Sequence, residues 1–413
     1  MKGFFSLLTT SQVQQILCSF PVLNAQQISL LEAPGRVAAC DIVCPEDLPP
    51  FSRSTMDGYA VRAKDVFGAS ETEPALLNVV GEVRMGQQAP STILEQGEAI
   101  KIWTGGMLPK GADAVVMLEY TKELDSSLVE VYRAVTPNEN VILKGEDWLK
   151  GEVCIKKGTR LRPQELGLLA GLGITRLEVV KRPDVCILST GDEIVAEDQN
   201  PPPGKIRDIN STTLTALVTQ SGAVARRLGI VDDSFEALYA KCQEALDLGA
   251  DIVLVSGGSS VGARDFTLKV FEHICSSPPL IHGVAIRPGK PTIVSRYRDK
   301  ALFGLPGHVA SCMVVYLLFV HYLVNIMHGL DPETGLAFRR VKCGEIFPSV
   351  AGREDYVRVR VKEDQEGGFP VAYPVYGKSG LISSLVIADG LLKIPRDSEG
   401  YHEGEEAEVM LLP

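Results

Sequence analysis

Lysine and arginine are the minority among the charged residues of this chain. The 413 residues contain 41 Lys and Arg against 52 Asp and Glu, which gives a formal net charge of −11. No basic run stands out, so we do not expect nucleic-acid binding through bulk electrostatics. An acidic protein can still hold an anion through backbone amides, a few basic side chains or a bridging divalent cation. The composition, 45% hydrophobic and 23% charged, excludes a disordered or fibrous chain.

Cysteines show no pairing pattern. The nine cysteines are scattered, without a Cys-x-x-Cys pair or another metal-ligand spacing. An odd number of cysteines fits a reducing compartment better than a disulfide framework. Residues 1–8 lack the apolar segment and small-residue cleavage site of a signal peptide. The sequence therefore predicts a cytoplasmic protein.

Long apolar runs are rare, and the main exception covers residues 309–327. This segment has about the length of a membrane span. It contains Ser311, His321 and Asn325, has no flanking basic cluster, and directly follows a predicted strand and loop. We therefore predict a buried helix of an α/β domain, and no membrane contact.

The first third of the chain changes from helical to β character. Apolar residues spaced by three and four predict helices within residues 1–45, one of them at residues 24–31. The proline-rich segment 45–50 ends this pattern. Short Val-rich strands separated by Gly and Pro then predict a β-rich domain up to about residue 140.

The remainder predicts two further kinds of fold. Residues 141–180 are mixed and include a helix at 163–170, with Pro at its permitted first turn. Residues 181–328 alternate strand and helix, which specifies a doubly wound parallel sheet. Beyond about residue 330 we predict no helix and a small β-barrel or sandwich. The fold class is therefore multidomain, α/β combined with β.

Polar loops follow three of the predicted α/β strands. A parallel sheet presents backbone N–H groups to an anion at its carboxyl edge. We therefore predict that the three loops line one crevice that holds one ligand. The loops are Ser189-Thr-Gly-Asp-Glu193, Ser256-Gly-Gly-Ser-Ser260 and Gly304-Leu-Pro-Gly-His308.

Acidic residues collect near the same strand ends, at Asp192, Glu193, Asp208 and Asp265. Carboxylates beside a phosphate-binding loop repel one another and the ligand unless a hard cation lies between them. Mg²⁺, which takes one or two carboxylates together with ligand oxygens, is the simplest such cation. For Asp208 and Asp265 the alternative is capping of the helix that follows.

Asp57 marks a second candidate anion site, before the β-rich strands. Asp57-Gly58 in front of a strand is also a common turn. Arg53, Ser54 and Thr55 beside it favour a functional role, because such residues hold a phosphate near a carboxylate.

Other motifs leave alternatives open. Thr104-Gly-Gly106 is either a tight turn or an anion-binding nest, and Gly145-Glu-Asp147 is uninformative by itself. Arg287 and Lys290 lie on a proline-containing turn that suits a phosphate or oxyanion, with a solvated turn as the alternative. His308 is a base, a ligand or a helix N-cap, and the sequence does not separate these roles.

In combination, these motifs resemble the molybdopterin molybdotransferase family, which completes molybdenum cofactor synthesis and includes the C-terminal part of gephyrin. The resemblance covers essentially the full length, with eight motifs in order. They are Ser54-Thr-Met-Asp-Gly-Tyr-Ala-Val61, Thr104-Gly-Gly106, Gly145-Glu-Asp147, Ser189-Thr-Gly-Asp-Glu193, Asp208-Ile-Asn-Ser211, Ser256-Gly-Gly-Ser-Ser-Val-Gly-Ala-Arg-Asp265, Arg287-Pro-Gly-Lys-Pro291 and Gly304-Leu-Pro-Gly307.

The resemblance implies four domains. Residues 1–45 and 141–180 are expected to form an elongated mixed domain, 46–140 a β-rich insertion, 181–328 an α/β molybdopterin-binding domain, and 329–413 a C-terminal β-barrel. It also implies a homodimer whose site lies between one subunit's α/β domain and the partner's β-rich domain.

The implied reaction takes adenylylated molybdopterin and molybdate, inserts the metal at the dithiolene, and releases AMP with Mg²⁺ assistance. The sulfurs belong to the substrate, so no protein cysteine is needed. Contact with the molybdopterin adenylyltransferase is also expected.

The implied site residues fall into two sets. The polar and metal-orienting set is Asp57, Thr104, Asp147, Glu193, Asp208 and Asp265, of which Glu193 and Asp265 are expected to hold Mg²⁺. The substrate-binding set is Ser189, Thr190, Gly191, Asp192, Ser256, Gly257, Gly258, Ser260, Arg287, Lys290, Pro306 and His308.

Two departures from the family pattern leave other functions open. His308-Val309 stands where the family usually has Asn-Pro, and Ser259 stands where it has Val. Because that proline is thought to line the metal-binding pocket, insertion of tungstate is an alternative. A non-catalytic scaffold like gephyrin is a second alternative. A molybdopterin adenylyltransferase is a third, although that enzyme lacks the Asp57 region and the barrel.

Overall fold

The computed structural model describes residues 7–257, 266–364 and 368–413. Gly258, Ser260 and Asp265, which belong to the predicted site, lie outside the described residues. The described elements form a doubly wound α/β sheet, a β-rich sheet, a set of short strand pairs and a closed barrel. The predicted fold class is confirmed, and the exact limits of the four domains stay a prediction.

The α/β region has a six-stranded sheet in which four neighbouring strands run parallel. Asp184–Thr190 and Ile252–Ser256 are buried along their whole length, as expected for parallel strands covered by helices on both faces. In spatial order, the strands are Val224–Val231, Asp184–Thr190, Ile252–Ser256, Lys300–Leu305, Ile293–Tyr297 and Ile281–His282.

The chain order of these strands creates a switch point in the sheet. From Asp184–Thr190 the chain crosses to one side to form Val224–Val231, and then returns to the other side to form Ile252–Ser256. In open α/β sheets, ligands bind outside the carboxyl ends of the strands at such a point. The topology therefore places the expected crevice between Thr190 and Ser256.

Helices cover both faces of this sheet. Asn210–Gln220 and the long helix that starts at Val309 pack on one face. Phe235–Asp247 and Phe266–Cys275 pack on the other. A short parallel pair, Ile194–Val195 with Ile206–Arg207, lies beside the carboxyl edge.

The long apolar helix is the core helix of the α/β region. It runs through Val309–Val315, a π-helical turn at Tyr316–Val320, and His321–His328. Its 20 residues are long and apolar enough to cross a membrane, but 78% of the most apolar window is buried inside the protein. The predicted buried helix is thus confirmed.

The β-rich sheet has six strands and an apolar cluster on each face. The 3₁₀ turns Ala63–Val66 and Leu118–Tyr120 connect parts of it. In spatial order, the strands are Ala114–Met117, Gly58–Val61, Glu98–Ile102, Ala75–Val83, Leu128–Val131 and Thr121–Asp125.

Short antiparallel pairs join the two chain segments on either side of the β-rich sheet, together with helix Pro163–Gly171. The predicted helix at residues 24–31 is wrong, because Ala25–Ser29 is a strand followed by the 3₁₀ turn Leu30–Glu32. The pairs are Ala25–Ser29 with Arg176–Val180, Ile42–Val43 with Val153–Ile155, and Arg53–Ser54 with Val141–Ile142.

The first helix, Thr10–Leu17, packs away from these pairs. A capping box between Thr9 and Gln12 starts it. Val13 and Leu17 are fully buried in the same apolar cluster as the core helix. By packing, this helix belongs with the α/β sheet, although residues 1–45 were predicted to lie in the elongated domain.

The C-terminal region is a closed five-stranded barrel, because its first and last strands in spatial order also pair with each other. Ile286–Arg287 of the α/β region extends it in parallel. The prediction of no helix here is wrong, since Ser383–Ile387 is a short helix. The barrel strands are Glu354–Lys362, Val371–Pro374, Phe338–Cys343, Glu406–Leu411 and Gly390–Ile394, with a separate pair Phe347–Pro348 and Gly400–Tyr401.

Candidate active site

Three strand ends approach one another closely at the carboxyl edge of the α/β sheet. Gly257 has φ +103°, and a Cβ built on it would collide with the backbone carbonyl oxygen of Thr190. A Cβ on Gly307 would lie only 3.6 Å from Cα of Gly257. A residue with a side chain at position 257 would keep these strand ends apart, so glycine there permits the close approach.

A cavity of about 600 Å³ opens at this edge. Described residues of all three predicted polar loops contribute to its wall. The described residues that line it are Thr190, Glu193, Ile194, Ile206, Arg207, Asp208, Ile209, Asn210, Ser256, Gly257, Pro291, Pro306, Gly307, His308, Val309, Ser311 and Gly380.

Asp208 connects the cavity to the start of helix Asn210–Gln220. Its side chain is buried and accepts hydrogen bonds from the Ser211 amide at 3.0 Å and the Ser211 hydroxyl at 2.5 Å. Because the Ser211 proton goes to Asp208, the neighbouring Ser189 hydroxyl at 2.8 Å donates to Ser211. Asp208 therefore stabilises the first turn of the helix, as in the capping alternative, and also forms part of the cavity wall.

Asn210 is a cavity residue that sequence reasoning missed. Its amide nitrogen Nδ2 donates to the Ser256 hydroxyl at 2.7 Å and to the Gly307 carbonyl at 2.8 Å. One side chain thus joins two of the three strand ends. The sequence feature that could have identified Asn210 as a site residue was its position inside the Asp208-Ile-Asn-Ser211 motif.

Asp233 was also missed. The Thr190 hydroxyl donates to its carboxylate at 2.5 Å, and its own amide lies 3.3 Å from Oδ1 of Asp192. The sequence feature that could have identified it was the acidic pair Asp232-Asp233 directly after strand Val224–Val231. Thr190 and Asp192 are therefore oriented by a neighbouring parallel strand.

Glu193 is the exposed carboxylate on the cavity wall. Its backbone carbonyl accepts a hydrogen bond from the Ile206 amide at 2.8 Å, which fixes the loop. Within the described ranges, no group of three or more His, Cys, Asp or Glu residues has the arrangement of a metal centre. Mg²⁺ needs only one or two carboxylates beside water and phosphate oxygens, so Glu193 fits such an ion.

The two predicted cationic residues, Arg287 and Lys290, are both exposed but make different contacts. The exposed Arg287 guanidinium forms an ion pair with Asp355 of the barrel, with Nη1 3.3 Å from Oδ2. Lys290 is exposed, and its carbonyl accepts hydrogen bonds from Val284 and Thr292. Neither lines the cavity, although Pro291, next to Lys290, does.

Asp57, Thr104 and Asp147 are exposed and do not line the cavity in the described part of the chain. The amide and the hydroxyl of Thr104 both donate to Oδ1 of Asp57 at 2.7 Å. These two hydrogen bonds hold the pKa of the Asp57 carboxyl below its ordinary value. The sequence motifs at Asp57 and Thr104 thus form one ionised unit on the β-rich sheet.

His308 lies where the α/β region meets the barrel. Its Nδ1 is 2.8 Å from the Ser379 hydroxyl. It is also the residue before helix Val309–Val315, and its side chain makes no hydrogen bond that caps this helix. Of the three roles left open, side-chain capping is therefore not realised, and the ring is part of the cavity wall.

Models of known protein families match successive parts of the chain. The MoeA N-terminal region (domain I and II) matches residues 8–173, and the probable molybdopterin binding domain matches residues 186–325. The MoeA C-terminal region (domain IV) matches residues 340–412. The cavity residues lie mainly in the second of these matches.

Known relatives resemble the chain over nearly its full length. A Methanocaldococcus jannaschii protein named for molybdopterin biosynthesis is 39% identical over 398 residues, 94% of this chain and 92% of the relative. The Bacillus subtilis molybdopterin molybdenumtransferase is 33% identical over 393 residues, 94% of this chain and 90% of the relative. Two crystal structures of the Pyrococcus horikoshii MoeA protein match with TM-scores of 0.83 and 0.82 and identities of 35% and 32%, covering 98% of this chain and 99% and 100% of theirs. In sequence, domain order and fold, this chain belongs to the MoeA family of molybdenum cofactor biosynthesis.

Proposed function

We propose that this protein is a molybdopterin molybdotransferase, which inserts molybdate into adenylylated molybdopterin and releases AMP. The observation that carries the proposal is the cavity at the switch point of the α/β sheet, where three strand ends meet. Relatives with 30–36% identity over most of the chain carry the name molybdopterin molybdenumtransferase. A transferase role in molybdenum cofactor synthesis fits both facts.

The substrate is anionic, and the cavity suits an anion held by backbone amides. The segments that follow Thr190, Ser256 and Pro306 each begin with glycine, as in loops that cradle phosphate groups. In the proposed complex, the Ser189–Asp192 and Ser256–Ser260 loops hold the pterin and its phosphate. Asp208 keeps its loop in place, and the turn with Arg287 and Lys290 receives the oxyanion.

The proposed Mg²⁺ is held through Glu193 and Asp265. When bound, the ion neutralises charge on the pyrophosphate as it is cleaved. Glu193 supports this role by its exposure on the cavity wall. Mg²⁺ dependence is therefore expected of AMP release, and chelation by EDTA should stop it while excess Mg²⁺ restores it.

We also propose a homodimer. Asp57 and Thr104 form a ready hydrogen-bonded unit that is exposed and outside the cavity wall. In a dimer, a second copy could place this unit and Asp147 over the cavity. One substrate would then contact the cavity of one subunit and the Asp57–Thr104 unit of the other. We further propose that the protein works in the cytoplasm and contacts the molybdopterin adenylyltransferase, which supplies its substrate.

AMP release from adenylylated molybdopterin, with Mg²⁺ present and molybdate and tungstate titrated separately, tests the function. Release driven by molybdate is expected. Release driven only by tungstate would identify a tungsten-inserting enzyme instead. A folded dimer that binds the pterin and releases no AMP with either oxyanion would favour a scaffold.

Asp265→Asn tests the metal-binding assignment. We expect this change to abolish molybdate-dependent AMP release and to leave thermal unfolding unchanged, because a metal-orienting carboxylate acts on the substrate and not on the core. Asp198→Asn, at an exposed position beyond the cavity, is the matched control. Turnover at the wild-type rate in Asp265→Asn would refute the assignment.

A further inference from the structure

One wall of the cavity comes from the C-terminal barrel. Gly380 lines the cavity, and the carbonyl of the preceding Ser379 accepts a hydrogen bond from the Ala310 amide at 3.0 Å. The Ser379 hydroxyl lies 2.8 Å from Nδ1 of His308. The barrel therefore contacts both the first turn of the core helix and a side chain of the cavity wall.

The barrel segment that makes this contact is firmly held. The Arg358 guanidinium donates to the Gly377 carbonyl at 2.6 Å and to the Ser384 hydroxyl at 2.5 Å. Leu385 packs in a small apolar cluster with Val309. Because the segment is fixed from both sides, the Ser379 hydroxyl has a defined position relative to the His308 ring.

Two other polar side chains of the cavity donate hydrogen bonds within the protein. Thr190 donates to Asp233, and Asn210 donates to Ser256. His308 differs, because only its Nδ1 has a partner in the described part of the chain. Its Nε2 is therefore available to a ligand in the cavity.

We propose that the Ser379 hydroxyl donates to Nδ1 of His308 and so fixes the ring with its proton on Nε2, as a donor to an oxyanion in the cavity. A neutral imidazole carries one donor and one acceptor, and the partner of one nitrogen sets the role of the other. His308 is then a contact of the oxyanion in addition to the turn that contains Arg287 and Lys290, and Ser379 is a positioning residue. This inference rests on the proposed function, since the oxyanion is the molybdate of that reaction.

Ring ¹⁵N–¹H NMR spectra of the full chain test the tautomer, with His308 assigned by its loss in His308→Asn. In the wild type we expect a single tautomer protonated on Nε2, whose resonance moves on titration with sodium molybdate. In Ser379→Ala we expect averaged tautomer shifts and molybdate binding weaker by about 3- to 10-fold, as for the loss of one hydrogen bond. Ser379→Thr keeps a hydroxyl and should behave like the wild type.

Ser384→Ala is the matched control, because it removes a hydrogen bond from the same segment without touching His308. It should bind molybdate like the wild type. Equal weakening in Ser384→Ala and Ser379→Ala would overturn the inference, since loosening of the segment would then be the cause. So would a wild-type ring protonated on Nδ1, or Ser379→Ala that binds molybdate with wild-type affinity.

AMP release from the same samples separates this inference from the function it rests on. A raised KM for molybdate with little change in kcat is expected in Ser379→Ala. If the wild type releases no AMP but shows the expected tautomer and molybdate shift, the transferase function fails and the positioning role stands. If AMP release is normal and Ser379→Ala has an unchanged KM, the positioning role fails and the function stands.

Discussion

The carboxyl edge of the α/β sheet and the Asp57 unit of the β-rich sheet hold their carboxylates in opposite ways. At the edge, Asp208 is 4% exposed and lies in a chain of hydrogen bonds that runs through Ser211 to Ser189. On the β-rich sheet, Asp57 is exposed and has Thr104 as its hydrogen-bond donor.

This difference separates two kinds of contribution to one proposed site. A buried carboxylate that accepts several hydrogen bonds stabilises the fold, because leaving its partners unpaired is costly. An exposed carboxylate with a lowered pKa contributes little to the core and stays charged for a ligand. Substitution of Asp208 should therefore change stability and activity together, whereas substitution of Asp57 should change activity alone.

Gly257→Ala should have the largest effect. The added Cβ would collide with the Thr190 backbone, at a φ of +103° that residues with a side chain rarely adopt. We expect the free energy of unfolding to fall by about 3 kcal/mol or more, with loss of pterin binding. Denaturant unfolding and equilibrium binding measure the two effects.

Gly307→Ala is the control for steric crowding at the same edge. Its Cβ would meet Cα of Gly257 at 3.6 Å, an ordinary contact distance. Near-wild-type stability is expected. If Gly257→Ala were as mild as this control, the close approach of the strand ends would not be a feature of the protein in solution.

Asp208→Asn should have the next largest effect. An amide retains one acceptor oxygen and places an NH₂ group against the Ser211 donors. The free energy of unfolding should fall by about 1–3 kcal/mol, and AMP release should fall as the cavity wall shifts. Unchanged denaturant unfolding would show that the buried network does not hold the first turn of helix Asn210–Gln220.

Thr104→Val should have the smallest effect on the fold, confined to the Asp57 unit of the β-rich sheet. It removes the hydroxyl donor but keeps the backbone amide, so the pKa of Asp57 should rise part of the way to its ordinary value. Because the pKa of Asp57 is lower in the folded state than in the unfolded state, the ionised carboxylate stabilises the fold at pH values above the unfolded-state pKa. This contribution is lost as the pH falls through the folded-state pKa. Carboxyl ¹³C titration measures the shift, and an unchanged pKa would contradict the Thr104 assignment.

The sequence predicted the edge of the sheet well because its signals are local. The run of residues 252–255 is apolar, and Ser256 and Gly257 follow it directly, so the sequence indicates a buried strand that ends in a loop. The rule that parallel strands end at one edge also predicted that Thr190, Ser256 and Pro306 lie near one another. Parallel strands end at one edge, and this geometric rule needs no knowledge of distant contacts.

Other features depend on contacts that a local pattern does not contain. Residues 25–29 carry helical spacing, but pairing with Arg176–Val180, some 150 residues away in sequence, makes them a strand. The barrel wall at Ser379 and Gly380 was missed for the same reason, since it reaches His308 only through the tertiary fold. The apolar face of helix Thr10–Leu17 indicates that the helix is buried on one side, but it does not indicate that the helix packs with the α/β sheet.

Mixed dimers of Asp57→Asn and Glu193→Gln test most directly whether the two regions form one site across two subunits. Alone, each variant should release AMP at about 1% of the wild-type rate or less, as expected for loss of a group that contacts the reacting centre. When equal amounts are co-expressed, half the dimers are mixed, and each mixed dimer has one intact site, so roughly a quarter of the wild-type molybdate-dependent rate should return. A mixture no more active than either variant alone would contradict a site shared between subunits.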